Sequence, residues 1–302
     1  MALQLPRAIT KAGEHAAKSF LEYFVAHIRN PNTRAAYVHA VVTFFQWGEA
    51  RGLYALAHIE PLHVAAYVEQ LQGRLAAPSV KQHLAAIRRL FDWLVVRQVV
   101  PVNPAASVRG PSHTATKGKT PILAPEDARA LFDRIRTDTV LGLRDRALIG
   151  VMIYSFARVS AAVGLRVDDY FPQGKRWWLR FHEKGGKEHE MPAHHTLEEY
   201  LDAYLQAAGI GAERKGPLFR AARGKTGRLT ARPLLRENAF HMIRRRVKEA
   251  GITIPIGCHS FRGTGITIYL QNGGELEIAQ RMAGHMSPRT TKLYDRRADE
   301  IT

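Results

Sequence analysis

The chain has 302 residues, 46% of them apolar, which is enough to bury the cores of two domains and argues against a largely disordered protein. Its 44 Lys and Arg against 27 Asp and Glu leave a net charge of +17, shared as 12 basic and 6 acidic side chains in residues 1–110 and 32 and 21 in the rest, so both halves are expected to meet a polyanion. A single cysteine, Cys258, excludes an intrachain disulfide and a thiolate zinc site; with no apolar run of about 18 residues, lipidation signal or secretion signal, a reducing cytoplasm is expected rather than a membrane.

The first hundred residues read as helices. Asn32 or Thr33 can cap one that carries Tyr37, Val38, Val41, Val42, Phe45 and Trp47 at helical spacing and closes at Arg51-Gly52. Ser79 can cap another, with Val80, Leu84, Ile87, Phe91 and Leu94 on one stripe and Lys81, Arg88 and Arg89 on the other side. That basic side suits a helix lying on DNA, and it equally suits a solvated face. Residues 101–125 change character: prolines at 101, 104, 111, 121 and 125 interleave with Lys117, Gly118 and Lys119, the pattern of an extended basic linker. The expected division is a helical DNA-binding domain over 1–110, a linker over 111–122 and a second domain over 123–302.

In the second part, helices are expected from Glu126 to Ile135 and from Leu143 to Tyr154, the latter running into Ala157-Arg158-Val159-Ser160. Arg176 to His182 reads as a strand, Lys184-Gly-Gly-Lys187 as a turn and Glu188 to Met191 as a return strand, giving a hairpin with lysines at its tip. Further helices are expected over 196–208, 236–250, 260–272, 275–283 and 288–297. The fold expected is mainly α with a small β-sheet.

Several common motifs fail on spacing. Gly118-Lys119-Thr120 and Gly224-Lys225-Thr226 look like the end of a phosphate-binding loop, but His113 and Phe219 stand where its first glycine belongs. His182-Glu183 is followed by Gly186 where a metalloprotease needs a second histidine, and Ser260 lacks the flanking glycines of a hydrolase elbow. The constellation that survives lies at the C-terminal end: His259-Ser-Phe-Arg262, Gly284-His285 and Tyr294. His259 and Arg262, three apart on a helix, share a face that can hold a phosphate. Arg offers a fork of donors to two phosphate oxygens, His moves a proton near neutral pH, and a Tyr hydroxyl is a candidate nucleophile. Singly, Arg158 suits a helix end, His285 a cap and Tyr294 a half-buried core position; their joint order is what points to phosphoryl transfer.

With Arg158, Lys184, His259-x-x-Arg262, Gly284-His285 and Tyr294 in this order, the chain resembles the tyrosine recombinase (phage integrase) family, in its simple two-domain form and over nearly its full length. The resemblance implies a helical core-binding domain followed by a mixed α/β catalytic domain. It implies catalytic roles for Arg158, Lys184, His259, Arg262, His285 and Tyr294: two arginines on the scissile phosphate, Tyr294 attacking phosphorus to give a 3′-phosphotyrosyl link, His259 taking its proton and Lys184 protonating the departing 5′ oxygen. No metal, ATP or other cofactor is expected. The implied partners are double-stranded DNA with inverted half-sites and further copies of the chain, a dimer per site and a tetramer in synapsis, with DNA contacts from Arg34, Lys81, Arg88, Arg89, Lys117, Lys119 and Arg244. A type IB topoisomerase-like relaxase uses the same chemistry, and a recombinase-derived protein that binds DNA without cleaving it is the third reading. Two departures from the family pattern stand out. Ala161 occupies the position three after Arg158 where an acid usually braces the neighbouring groups, for which Asp168 or Asp169 could substitute. Eight residues follow Tyr294 where many relatives have a longer tail that packs as a helix into a neighbouring protomer, so either that mode of assembly is not expected or the chain has been trimmed.

Overall fold

The computed structural model describes residues 5–113, 118–183 and 186–296, and the chain divides into two compact units, Met1–Thr114 and Ala115–Thr302. It is mostly helical with small antiparallel sheets, as the sequence led us to expect. Among the described residues no helix is long and apolar enough to cross a membrane.

The first unit contains α1 (Arg7–Lys11), α2 (Glu14–Glu22), α3 (Pro31–Glu49), α4 (Pro61–Gln72) and α5 (Ala77–Val96). Its core is aromatic: Phe20, Phe24, Phe44, Phe45, Tyr67 and Phe91 are buried and meet largely edge to face. The cap of α3 is Asn30, whose side chain accepts from Thr33 N at 3.0 Å, rather than Asn32 or Thr33, because Pro31 takes the first helical position. In α5 the start likewise moves ahead of Ser79, to Ala76, since Pro78 already lies in the first turn. Arg88 donates to the carbonyls of Ala105 (3.1 Å) and Val108 (2.7 Å), tying the chain beyond α5 back onto that helix.

The second unit contains α6 (Pro125–Arg134), α7 (Val140–Tyr154), α8 (Val159–Val163), β1 (Tyr170–Gln173), β2 (Arg176–Glu183), β3 (Lys187–Pro192), α9 (His195–Ala208), β4 (Arg220–Ala222), β5 (Leu229–Pro233), α10 (Arg236–Glu249), α11 (Cys258–Gln271), α12 (Leu276–Met282) and α13 (Pro288–Lys292). Strands β1, β2 and β3 form one antiparallel sheet in that order, and β4 pairs with β5 in another. Leu179, Phe181 and Met191 turn to the core while their neighbours face out, the period-two pattern of a half-buried sheet. Gly224-Lys225-Thr226 falls in the connection between β4 and β5. Helix α7 is the spine of the unit: residues 147–153 are all buried, and α9 and α11 pack on it. Its Asp145, fully buried, accepts from Arg144 and from Arg246 of α10, both at 2.7 Å at the closest, so the buried carboxylate is compensated and pins α10 to the spine. The last helix ends at Lys292 instead of near 297, leaving Tyr294 just beyond it.

Candidate active site

Helix α11 carries His259 and Arg262, the chain beyond α7 carries Arg158, and a glycine lets the two helices approach. A Cβ built on Gly265 would stand 2.0 Å from the Ile153 carbonyl oxygen and 2.8 Å from the Phe156 ring, so only glycine permits this crossing. Just past α7, Phe156 adopts φ +55°, a left-handed conformation costly for a bulky side chain, and the chain then extends through Arg158 at the cap of α8. The Phe156 carbonyl accepts from Nη1 of Arg262, and the Ala283 carbonyl accepts from Nη2. Arg262 is 1% exposed, so its charge is held inside the protein by two main-chain dipoles.

His285 owes its place to the end of α12. Gly284, at φ +58°, is the left-handed residue that ends the helix; its N–H bonds to the Arg281 carbonyl at 2.9 Å and the N–H of His285 to the Gln280 carbonyl at 3.1 Å. The imidazole Nδ1 of His285 then lies 2.9 Å from the hydroxyl of Thr291 in α13. Tyr294 is fixed through its backbone, its carbonyl accepting from Thr267 Oγ1 of α11 at 2.9 Å and its N–H donating to Thr291 at 2.9 Å. Its ring stacks parallel to that of His285 at 6.0 Å, and its hydroxyl meets Nε2 of His259 at 2.7 Å. The segment 118–123 closes over this end of the chain. Gly118 N donates to the Leu293 carbonyl (3.0 Å), Arg296 donates to the carbonyls of Gly118 (3.1 Å) and Thr120 (3.3 Å), and Leu123 N donates to Thr264 of α11 (2.9 Å).

The electrostatics follow from burial beside two cations. Desolvation, then Arg262 and Arg158, lowers the pKa of His259 below the usual histidine value. The same causes, with His259 added, push His285 down to about 3. Burial raises the phenol of Tyr294, and Arg262 and Arg158 pull it the other way by favouring the phenolate. A neutral imidazole in contact with a protonated phenol can accept its proton, and two guanidinium charges stand by to offset negative charge.

The structure thus brings Arg158, His259, Arg262, His285 and Tyr294 into one place. Lys184 lies outside the described residues, between paired strands β2 and β3, and Lys117 is outside them too. Among the other residues expected to touch DNA, Lys81, Arg89, Lys119 and Arg244 are exposed. Arg34 directs Nε and Nη2 at the Ile28 carbonyl (3.0 and 2.8 Å), and Arg88 is engaged as described above. Ala161 is buried, and Asp169 accepts from Arg166 N and contacts His182 of β2. Sequence reasoning missed the carbonyls of Phe156 and Ala283, the hydroxyls of Thr267 and Thr291, and the 118–123 segment. A glycine pair inside a helical pattern, Gly263 and Gly265, was the one visible signal of close packing there.

Residues 121–300 match the phage integrase family and residues 17–98 match the N-terminal SAM-like domain of phage integrases. The chain belongs to the phage integrase family. It is 30% identical over 290 residues to tyrosine recombinase XerD of Corynebacterium glutamicum, covering 92% of each chain. It is 29% identical over 285 residues to tyrosine recombinase XerC of Myxococcus xanthus, covering 91% of each. Among solved structures, the XerH site-specific recombinase bound to a palindromic difH substrate in a post-cleavage complex shares the fold with a TM-score of 0.72 at 18% identity, over 88% of this chain and 76% of that one. The lambda integrase (75–356) dimer bound to a COC′ core site shares it with a TM-score of 0.71 at 16% identity, over 95% and 96%.

Proposed function

We propose that this chain is a site-specific DNA recombinase that breaks and rejoins strands through a 3′-phosphotyrosyl intermediate. The observation that carries the proposal is the 2.7 Å contact between the Tyr294 hydroxyl and Nε2 of His259, beside the charges of Arg158 and Arg262. The Tyr294 oxygen attacks phosphorus as its proton passes to His259; the P–O5′ bond breaks and Lys184 supplies a proton to the leaving oxygen. Arg158 and Arg262 hold the non-bridging oxygens and offset the charge that gathers on them, the task a metal performs in other phosphoryl transfers. A 5′ hydroxyl from a partner strand then attacks the phosphotyrosine, and the bond energy kept in that link makes ATP unnecessary. That Tyr294 and its neighbours come from one chain supports cleavage in cis. Relatives crystallised as recombinase–DNA complexes, and a lambda integrase tetramer on a Holliday junction, support duplex DNA and a tetrameric synapse as the partners.

A nicked suicide duplex carrying the site that the protein selects from a random library tests this. The wild type is expected to form a covalent protein–DNA adduct in the presence of EDTA, and Tyr294→Phe none. An adduct with Tyr294→Phe equal to wild type overturns the nucleophile. Relaxation of a supercoiled plasmid without any selected site would indicate a relaxase instead.

A further inference from the structure

The contact between the Tyr294 phenol and His259 depends on where the chain around residue 294 is held, and a ring of hydrogen bonds closes there. On one side, Gly118 N donates to the carbonyl of Leu293, the residue before Tyr294, at 3.0 Å. On the other, Arg296 extends Nη2 to the carbonyls of Gly118 at 3.1 Å and Thr120 at 3.3 Å. Gly118 is thus gripped from both sides of Tyr294, its N–H by the residue before and its carbonyl by the residue two beyond. The segment that contains it is fixed in turn to α11, where Leu123 N donates to Thr264 Oγ1 at 2.9 Å. Three residues further along the same helix, Thr267 Oγ1 donates to the Tyr294 carbonyl at 2.9 Å. Ile122 and the Tyr294 ring both rest against Gly263 of α11, since a Cβ there would stand 3.1 Å from the one and 3.3 Å from the other. The helix that carries His259 and Arg262 therefore also carries the two hydroxyls on which the ring is hung.

We infer that Arg296 is a positioning residue for the nucleophile: by latching the chain beyond Tyr294 onto the main chain at 118–120, it closes the ring and keeps the phenol oxygen against His259. The inference rests on the proposed role of Tyr294. Arg296 is half-buried, and its terminal nitrogen meets main-chain carbonyls. Its charge is not among the causes that shift the Tyr294 phenol, which are burial, Arg262 and Arg158. It therefore acts on the reaction through the chain it holds. Such action is enough, because a misplacement of about 1 Å can cost on the order of 100-fold in rate. Arginine suits the task because one terminal nitrogen carries two hydrogens, one for each carbonyl, whereas methionine keeps an apolar stem with no donor.

The test separates placing the nucleophile from everything else the site does. In Tyr294→Phe, added hydrogen peroxide supplies a small nucleophile that needs no seat on the chain. Hydroperoxide attacks phosphorus, the P–O5′ bond breaks, the 5′ oxygen takes up a proton, and the strand is cut without a protein–DNA link. Single-turnover adduct formation on the suicide duplex, at saturating protein, is measured for wild type, Arg296→Met, Gly118→Ala and the variant carrying both changes. Peroxide cleavage is measured for Tyr294→Phe with and without Arg296→Met. Arg296→Met is expected to slow adduct formation by about tenfold or more. In Tyr294→Phe, the same change is expected to leave peroxide cleavage within about twofold, since the groups that hold the phosphate are undisturbed. Because Gly118 and Arg296 belong to one ring, the double variant should be about as slow as the slower single variant, not slower by the product of the two losses.

Adduct formation by Arg296→Met at the wild-type rate overturns the inference. So does peroxide cleavage that falls as far as adduct formation, which would make Arg296 a support of the fold or of the grip on DNA. Where Tyr294→Phe gives no peroxide cleavage, the double variant decides: losses that multiply overturn the latch, and a rate near the slower single variant upholds it. Adduct formation by Tyr294→Phe without peroxide removes the nucleophile and the inference together. If that adduct is absent and Arg296→Met is as fast as wild type, the positioning role alone falls.

Discussion

Replacing Gly265 with alanine sets two effects of opposite sign against each other. In a helix interior alanine is favoured over glycine by about 1 kcal/mol, so propensity alone makes Gly265→Ala stabilising. The new Cβ, however, would stand 2.0 Å from the Ile153 carbonyl oxygen and 2.8 Å from the Phe156 ring. Carbon and carbonyl oxygen rest near 3.4 Å, so α11 has to retreat from α7 by on the order of 1 Å. Overpacking costs about 1–3 kcal/mol, and an encounter with main chain, which cannot swing aside, belongs at the upper end. The net expectation is a loss of about 2 kcal/mol after subtracting the propensity gain. Native-state hydrogen exchange of the intact chain reads this directly: amides of α7 and α11 that exchange through global opening should speed up by about thirtyfold. Gly211→Ala is the reference, since nothing lies within 4 Å of its new Cβ and its φ is not positive; it should leave exchange nearly unchanged. Exchange in Gly265→Ala equal to or slower than wild type would refute the close-packing argument. Gly263→Ala separates packing from chemistry on the same helix. Its Cβ meets the Ile122 side chain at 3.1 Å and the Tyr294 ring at 3.3 Å, both able to shift slightly, so covalent-adduct formation should fall more than stability does.

The buried histidine gives a pH prediction. His285, held near 3 when folded, refuses a proton that the unfolded chain takes up with a pKa near 6.5, so stability falls as pH drops from 6.5 toward 3. Linkage puts its share at no more than about 1 kcal/mol between pH 6.5 and 5.5, and His285→Gln should lack that share when urea midpoints are compared at the two pH values. Arg262→Lys keeps the charge and loses the fork that reaches two carbonyls; adduct formation should fall by at least about 100-fold while DNA retention on a gel persists, and activity within tenfold of wild type would count against the anchoring. Gly118→Ala places a Cβ 2.6 Å from the Leu293 carbonyl, so the residue before Tyr294 has to move; adduct formation should drop by about tenfold, and an unchanged rate would show that the 118–123 segment does not fix the nucleophile.

The order of the candidate residues was legible because each is a distinctive side chain in a recognisable sequence context. The physical reason for one context, Gly284-His285, became visible only with backbone angles: the glycine is the left-handed residue that ends α12, and the histidine follows it into the site. Helices α3 and α5 could be read from apolar spacing and α7 from its continuous apolar run, and the positions of α6, α9, α10, α11 and α12 were legible as well. Strands β1, β4 and β5 could not: at three to five residues they carry too little alternation to stand out, and α1, α2 and α4 were passed over beside the stronger stripes around them. The C-terminal helix was drawn too long because residues beyond Lys292 keep a helix-compatible composition. Instead the chain turns at Tyr294, where Thr267 and the 118–123 segment provide tertiary partners that helical hydrogen bonds would have preempted.

Ala161 shows how the same need is met by groups a sequence does not display. An acid at that position would neutralise and brace the neighbouring cations and imidazole; here the nearby backbone takes part of that task, through the Phe156 and Ala283 carbonyls on Arg262. Carbonyl dipoles orient a guanidinium without cancelling its charge, whereas a carboxylate does both. Burial first, then the charges of Arg262 and Arg158, lowers the pKa of His259 and leaves its imidazole ready to accept a proton, while the same two charges favour the phenolate of Tyr294. On the proposed mechanism a DNA phosphate brings a negative charge to those same arginines. It offsets the field that suppresses proton uptake by His259, so the base gains strength when substrate arrives. Without DNA, the same burial that raises the Tyr294 phenol keeps the nucleophile protonated and bound to His259. On the proposed mechanism, base strength and substrate occupancy are thus coupled through the charges of the two arginines.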